Sequence, residues 1–309
     1  MRLFAMLFPG QGVQYINMLS SFLKKEKIFR NVFEEASEHI SCNLLKLIKE
    51  GPLEKINHSK YTQPMILASS IAIYKFWRKC NGKNPSFMSG HSLGEYSALV
   101  CAKALKFTDA LKIVSLRGKY MQKTIFNKSY LVKAIIGLNE NIIKKICHKY
   151  TSNTVSIASI NSDNQIIISG SKLDVYKASL DCKKYGAKFI FDVNLNIPVH
   201  SCVMKPVAKK IENILKDIKI KQPRIPVINN VDVKCENNSK SIKKALVKQI
   251  YKTVRWKEII DFIQSKNIFT MLEVGPNNIL TNLNKNNVNL ISLNTSNKKC
   301  FFYAFKKIN

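Results

Sequence analysis

At 309 residues and 46% hydrophobic content the chain is long enough for a full core, and the expected organisation is one large domain with a smaller appendage. No apolar run approaches the roughly 18 residues of a membrane span, and the stretch 3–8 meets Pro9-Gly10 with no cleavage site, unlike a secretory signal. A formal charge of +30 raises nucleic acid or an anionic membrane as a partner, yet only six of the 50 basic residues are arginine. The lysines are spread along the chain with abundant Asn and Ile, a skew that AT-rich codons impose on solvated surfaces. Eight cysteines contain no C-x-x-C pair, which argues against zinc and disulfides and for a reducing, cytoplasmic setting.

In chain order, residues 3–8 read as a strand, ending in the bent loop Phe8-Pro9-Gly10-Gln11-Gly12. Helices follow over about 17–40, broken at Gly51-Pro52, and a further helix is expected over 64–79. Phe87 and Met88 begin a strand that runs into Gly90-His91-Ser92-Leu93-Gly94-Glu95 and then a helix over 93–103. A serine between two glycines at a strand-to-helix turn fits a nucleophile elbow, where a Cβ at either glycine would clash. That turn aims the Leu93 N–H toward charge developing near the Ser92 hydroxyl. The next helix is expected over 109–123, capped by Thr108 or Asp109. Alternating strands and helices predict a largely parallel sheet covered on both faces.

The middle of the chain has a different rhythm. Strand 131–137, helix 140–150, strand 155–160, a turn at Ser162-Asp163-Asn164, strand 165–169, helix 172–185 and strand 188–193 give the order βαββαβ. Gly186 is placed to end the second of those helices. The pattern is that of a ferredoxin-like unit. The expected fold is therefore α/β: an α/β-hydrolase-like large domain over 1–126 and 196–309, with a small ferredoxin-like domain inserted over 127–195.

A serine hydroxyl needs a base, and five histidines are available. His39 and His148 lie in helical stretches, and His58 in a polar loop. His91 abuts Ser92 but points to the opposite face of a strand, so it is poorly placed as the base. His200 follows Pro198 where the chain re-enters the large domain.

Taken together, Pro9 to Gly12, Glu50-Gly51-Pro52, Tyr61-Thr62-Gln63-Pro64, Gly90 to Glu95, Leu116-Arg117-Gly118, Ile197 to Ser201, Asn229 to Asp232 and Glu273 to Pro276 carry a resemblance. From end to end the chain resembles the malonyl-CoA:acyl carrier protein transacylases. That resemblance implies Ser92 as nucleophile and His200 as its base, with the imidazole held by the backbone carbonyl of Gln249. Asp232 or Glu273 could follow the serine as a triad acid by chain order, but the family manages with the pair. It implies the Gln11 and Leu93 amides as oxyanion hole, and His91, Gln63 and Asn161 lining the acyl and pantetheine path. Arg117 would meet the free carboxylate of malonyl, since burying a guanidinium unpaired costs several kcal/mol. With an ordinary imidazole, activity would rise with pH through about 6.5. Implied partners are malonyl-CoA and the acidic acyl carrier protein, with no bound cofactor, nucleic acid or membrane, and a monomeric state.

Tyr130-Leu131-Val132-Lys133, Ser159, Val199 and Asn277 depart from the family pattern and bear on the shape of the pantetheine channel. A serine thioesterase with the same elbow and a basic nucleic-acid-binding protein are the rival readings.

Overall fold

The computed structural model describes residues 3–125, 129–150, 154–195, 197–285 and 287–309. Its strands are β1 (Phe4–Phe8), β2 (Phe87–Gly90), β3 (Tyr130–Ile136), β4 (Val155–Ser162), β5 (Gln165–Ser171), β6 (Phe189–Asp192), β7 (Val227–Ile228), β8 (Thr270–Glu273) and β9 (Ile291–Asn294). They form a five-stranded sheet in the order β7-β2-β1-β8-β9 and a four-stranded sheet in the order β4-β5-β3-β6. Every pairing in the first is parallel and every pairing in the second antiparallel. The fold is thus mixed α/β.

β1 shows why the larger sheet is continuously apolar. All five of its residues are buried, because helices cover both faces. Phe4, Met6 and Phe8 join the core beneath helices Ser59–Lys79 and Phe107–Thr124, whereas Ala5 and Leu7 join Trp256, Ile259 and Ile263 of helix Trp256–Gln264. The alternation follows from the two-residue period of a strand. The carboxyl ends of β1 and β2, lying side by side, deliver the loops 9–12 and 91–93 to one place.

Two helix starts differ from expectation. The helix expected from residue 64 begins at Ser59, with Pro64 inside it. Pro64 forfeits one backbone bond, but the extra turn buries Ser59, Thr62 and Gln63. The helix expected from 109 begins at Phe107 after Lys106, which makes no side-chain cap bond. Asp109 instead lies in the first turn, where its charge complements the helix dipole.

The smaller sheet has its own core of Ile135, Ile143, Ile157, Ile168 and Val175. It joins the rest through β4, whose register slips between Ile157 and Ser159. Ser159 bridges Val254, the Ile160 N–H donates to the Val254 carbonyl at 2.9 Å, and the Val254 N–H donates to Ala158 at 2.9 Å. Ser169 adds a bond to the Val199 carbonyl at 2.6 Å. Residues 126, 127 and 196, where domain boundaries are expected, lie outside the described residues. All eight cysteines are free thiols, and no described helix is long and apolar enough to cross a membrane.

Candidate active site

β2 ends at Gly90, the chain turns through Ser92 at φ 51°, and helix Gly94–Cys101 begins two residues later. A Cβ on Gly90 would lie 1.9 Å from the Gly94 carbonyl carbon, and one on Gly94 would lie 2.0 Å from the Phe8 carbonyl oxygen. Both contacts are backbone against backbone, so only glycine fits without moving the sheet. Asn230, just past β7, clamps the turn: its Oδ1 accepts from the Ser92 N–H at 2.7 Å and its Nδ2 donates to the Gly90 carbonyl at 2.7 Å.

The Ser92 hydroxyl lies 2.8 Å from His200 Nε2, and His200 Nδ1 lies 2.7 Å from the Gln249 carbonyl oxygen. A carbonyl only accepts, so Nδ1 carries the proton and Nε2 presents its lone pair to the serine. His200 is 4% exposed, and burial together with the nearby Arg117 guanidinium pushes its imidazole down to about 3. The imidazole is therefore neutral across the pH 5–8 range, which differs from the expectation of a titration near 6.5. Asp232 pairs with Lys248 at 3.3 Å, and Glu273 accepts from the Thr281 N–H and hydroxyl, so neither serves His200.

Arg117 is 2% exposed on helix Phe107–Thr124, which crosses Ser59–Lys79 so closely that a Cβ on Gly118 would lie 2.2 Å from the Ser59 carbonyl oxygen. The guanidinium donates to Gln63 Oε1 at 2.9 Å, to Ser92 Oγ at 3.2 Å and to Gln249 Oε1 at 3.5 Å. All three partners are neutral, and the buried Nε has none among the described residues. A desolvated cation beside the Ser92 hydroxyl, hydrogen-bonded only to neutral groups among the described residues, is an open seat for a carboxylate.

The Gln11 and Leu93 amide N–H groups have no protein acceptor among the described residues. Gln11 reaches the helix through its side-chain oxygen, which accepts from Ser59 at 3.1 Å. The loop carrying it lies against the elbow, since a Cβ on Gly10 would be 2.7 Å from the His91 carbonyl oxygen. His91 turns away from the hydroxyl: its Nε2 lies 3.0 Å from Asn161 Oδ1 on β4, and its ring is 5.3 Å from that of Trp256. Ser92, His200, Arg117, Gln63 and Gln249 thus form one network, with His91 and Asn161 as a neighbouring pair. Sequence reasoning missed Asn230 and Glu95, both of which lie inside its motifs. The signal was there for Glu95, the one acid in an otherwise small and apolar helix.

The acyl transferase domain profile matches residues 5–295. The chain is 63% identical, over the full length of both, to the malonyl CoA-acyl carrier protein transacylase of Buchnera aphidicola subsp. Schizaphis graminum. It belongs to the malonyl CoA-acyl carrier protein transacylases. The solved transacylase of Coxiella burnetii superposes with TM-score 0.97 at 36% identity, covering 99% of this chain and 98% of that one. A malonyl-transacylase solved in complex with a type II PKS acyl-carrier protein gives TM-score 0.96 at 39% identity, covering 99% of each.

The departures from the transacylase pattern all lie off the Ser–His–Arg network. Lys133 pairs with Asp192 on β6 at 2.6 Å, Asn277 donates to the Val13 carbonyl at 3.5 Å, and Ser159 and Val199 take part in contacts that tie the smaller sheet to the loops at Val254 and Val199.

Proposed function

We propose that this transacylase moves malonyl from CoA to the phosphopantetheine thiol of acyl carrier protein through an ester on Ser92. Ser92 Oγ attacks the thioester carbonyl while His200 Nε2 takes its proton, and the oxyanion rests on the Gln11 and Leu93 amides. His200 then returns the proton to the departing CoA thiolate as the tetrahedral adduct collapses to the ester. The carrier thiol reverses the sequence, losing its proton to His200 and leaving malonyl on sulfur. Arg117 holds the malonyl carboxylate throughout, with Gln63 fixing its fork, while Asn161 and His91 line the pantetheine path. The observation that carries this reading is the buried guanidinium, hydrogen-bonded to no carboxylate among the described residues, 3.2 Å from the hydroxyl that His200 holds.

The reading makes the antiparallel unit over 127–195 a ferredoxin-like insertion in an α/β-hydrolase-like domain over 1–126 and 196–309. The strand order β4-β5-β3-β6 supports it. It also makes the enzyme a cytoplasmic monomer without a bound cofactor, and its positive surface a means of steering an acidic carrier protein. No group of metal-ligating side chains occurs among the described residues.

Intact-mass spectrometry after incubation with malonyl-CoA tests the intermediate, and an adduct on any residue other than Ser92 refutes it. Arg117→Ala tests selectivity. A charge-assisted bidentate contact is worth about 1.5–3 kcal/mol, so malonyl transfer should fall at least about tenfold while acetyl transfer falls less or rises. Arg117→Lys should restore only part, because an ammonium lacks the fork. An unchanged malonyl-to-acetyl ratio would make Arg117 a structural arginine.

A further inference from the structure

We infer that Glu95 is a positioning residue for malonyl transfer: its carboxylate fixes the orientation of the Gln249 amide, and through that amide the guanidinium of Arg117. The inference rests on the roles given above to Ser92 and Arg117. Glu95 sits one helical turn after Ser92, is 2% exposed, and reaches the network by one oxygen. Glu95 Oε2 accepts from Gln249 Nε2 at 2.8 Å and from the Asn230 N–H at 3.0 Å.

An ionised carboxylate has no proton to give, so the end of Gln249 that faces it must be the NH₂. That group's other bond goes to the Ser92 carbonyl at 2.9 Å. Gln249 Oε1 is thereby turned toward Arg117, and the guanidinium meets amide oxygens from both Gln63 and Gln249. Asn230, held by the same carboxylate oxygen, clamps Ser92 and Gly90. One acid therefore sets the substrate-binding cation and braces the elbow without touching either the serine or the malonyl group.

Charge on Glu95 matters as well as shape. Burial raises its carboxyl to about 7, with Asp232 adding to the rise, while Gln249, Asn230 and Arg117 oppose it. The groups bearing on it are Arg117 and Tyr96, Asp232 with its partner Lys248, and His200 beyond Gln249, which stays neutral in this range. Protonated Glu95 becomes a donor. Its O–H then favours an oxygen from Gln249, the amide flips, and Arg117 faces an NH₂ in place of an oxygen.

The test is the kcat/KM of Ser92 acylation by malonyl-CoA and by acetyl-CoA from pH 5.5 to 8.5, with the Ser92 adduct followed by mass. In the wild-type enzyme the malonyl-to-acetyl ratio should fall about tenfold between pH 8 and pH 6, as expected for an ionised group titrating near 7. Glu95→Gln should give a low ratio that no longer changes with pH, and Glu95→Asp should bring the dependence back. A wild-type ratio constant over that range overturns the inference, as does a folded Glu95→Gln enzyme with the wild-type ratio and profile. Should Glu95→Gln fail to fold, the wild-type ratio decides alone. A wild-type enzyme with no adduct on Ser92 defeats the proposed function itself, a result separate from any outcome for Glu95.

Discussion

In the Ser92→Ala variant the malonyl adduct is expected to vanish while the fold survives. The substitution removes one atom, Oγ, whose partners are His200 Nε2 and Arg117. Nothing that shapes the elbow goes with it. The turn rests on Gly90 and Gly94, on the Asn230 clamp and on the loop carrying Gly10. Alanine tolerates the left-handed backbone at φ 51° about as poorly as serine, so the strain is unchanged. Thermal unfolding should shift only modestly, since the hydroxyl makes two hydrogen bonds, each worth about 1 kcal/mol or somewhat more where the partner is charged. Complete loss is expected because no other serine among the described residues is bonded to His200. Acylation at a second site in the variant would show that the nucleophile had been misassigned.

His200→Ala should slow acylation by about 10²–10⁴-fold, the range for a positioned general base. The serine keeps its place and the oxyanion amides remain, so some acylation persists, unlike in Ser92→Ala. The sign of the pH effect follows from burial. The imidazole must be neutral to accept the proton, and its fall to about 3 leaves it neutral across pH 5–8. His200 therefore adds no acid limb in that window, and the limb expected there belongs to Glu95. Wild-type acylation by malonyl-CoA should thus weaken as pH falls through about 7, whereas in Glu95→Gln it should be level from pH 5 to 8. A limb near 6.5 that survives in Glu95→Gln would return the titration to His200 and show that the imidazole is less desolvated than its burial implies.

Much of this was legible along the chain because it is local. β1 announces itself as an unbroken apolar run, and the elbow is written in the spacing of Gly90, Ser92 and Gly94. The order of elements between 129 and 195 could be read from alternating periods and from Gly186, whose φ of 97° ends a helix. Family motifs pointed to Ser92, His200 and Arg117 before any distance was known. The start at Ser59 was hidden because proline reads as a first helical residue, and its polar neighbours only become buried when the helix Phe107–Thr124 packs on them. Glu95 stood out as a lone acid in a small, apolar helix, but its role was hidden for a related reason. Its partner Gln249 is 154 residues away, and what a buried acid holds in place cannot be read until its partners are brought to it. The same holds for the titration of His200, which desolvation and Arg117 set and no local pattern encodes.

Ser92 and His200 share a feature beyond their hydrogen bond: both hold the left-handed backbone, at φ 51° and 54°. For a residue with a Cβ this conformation costs about 1–2 kcal/mol, and glycine escapes it. At the two positions that the proposed reaction depends on, the local backbone thus favours a residue that cannot react. Glycine at Ser92 would relieve that local cost for the loss of a hydroxyl, whereas at His200 it would also empty the space of a buried imidazole and leave the Gln249 carbonyl without its donor, so packing holds the strain at His200 in place. On the proposed mechanism, demand for turnover is what keeps the serine where it is.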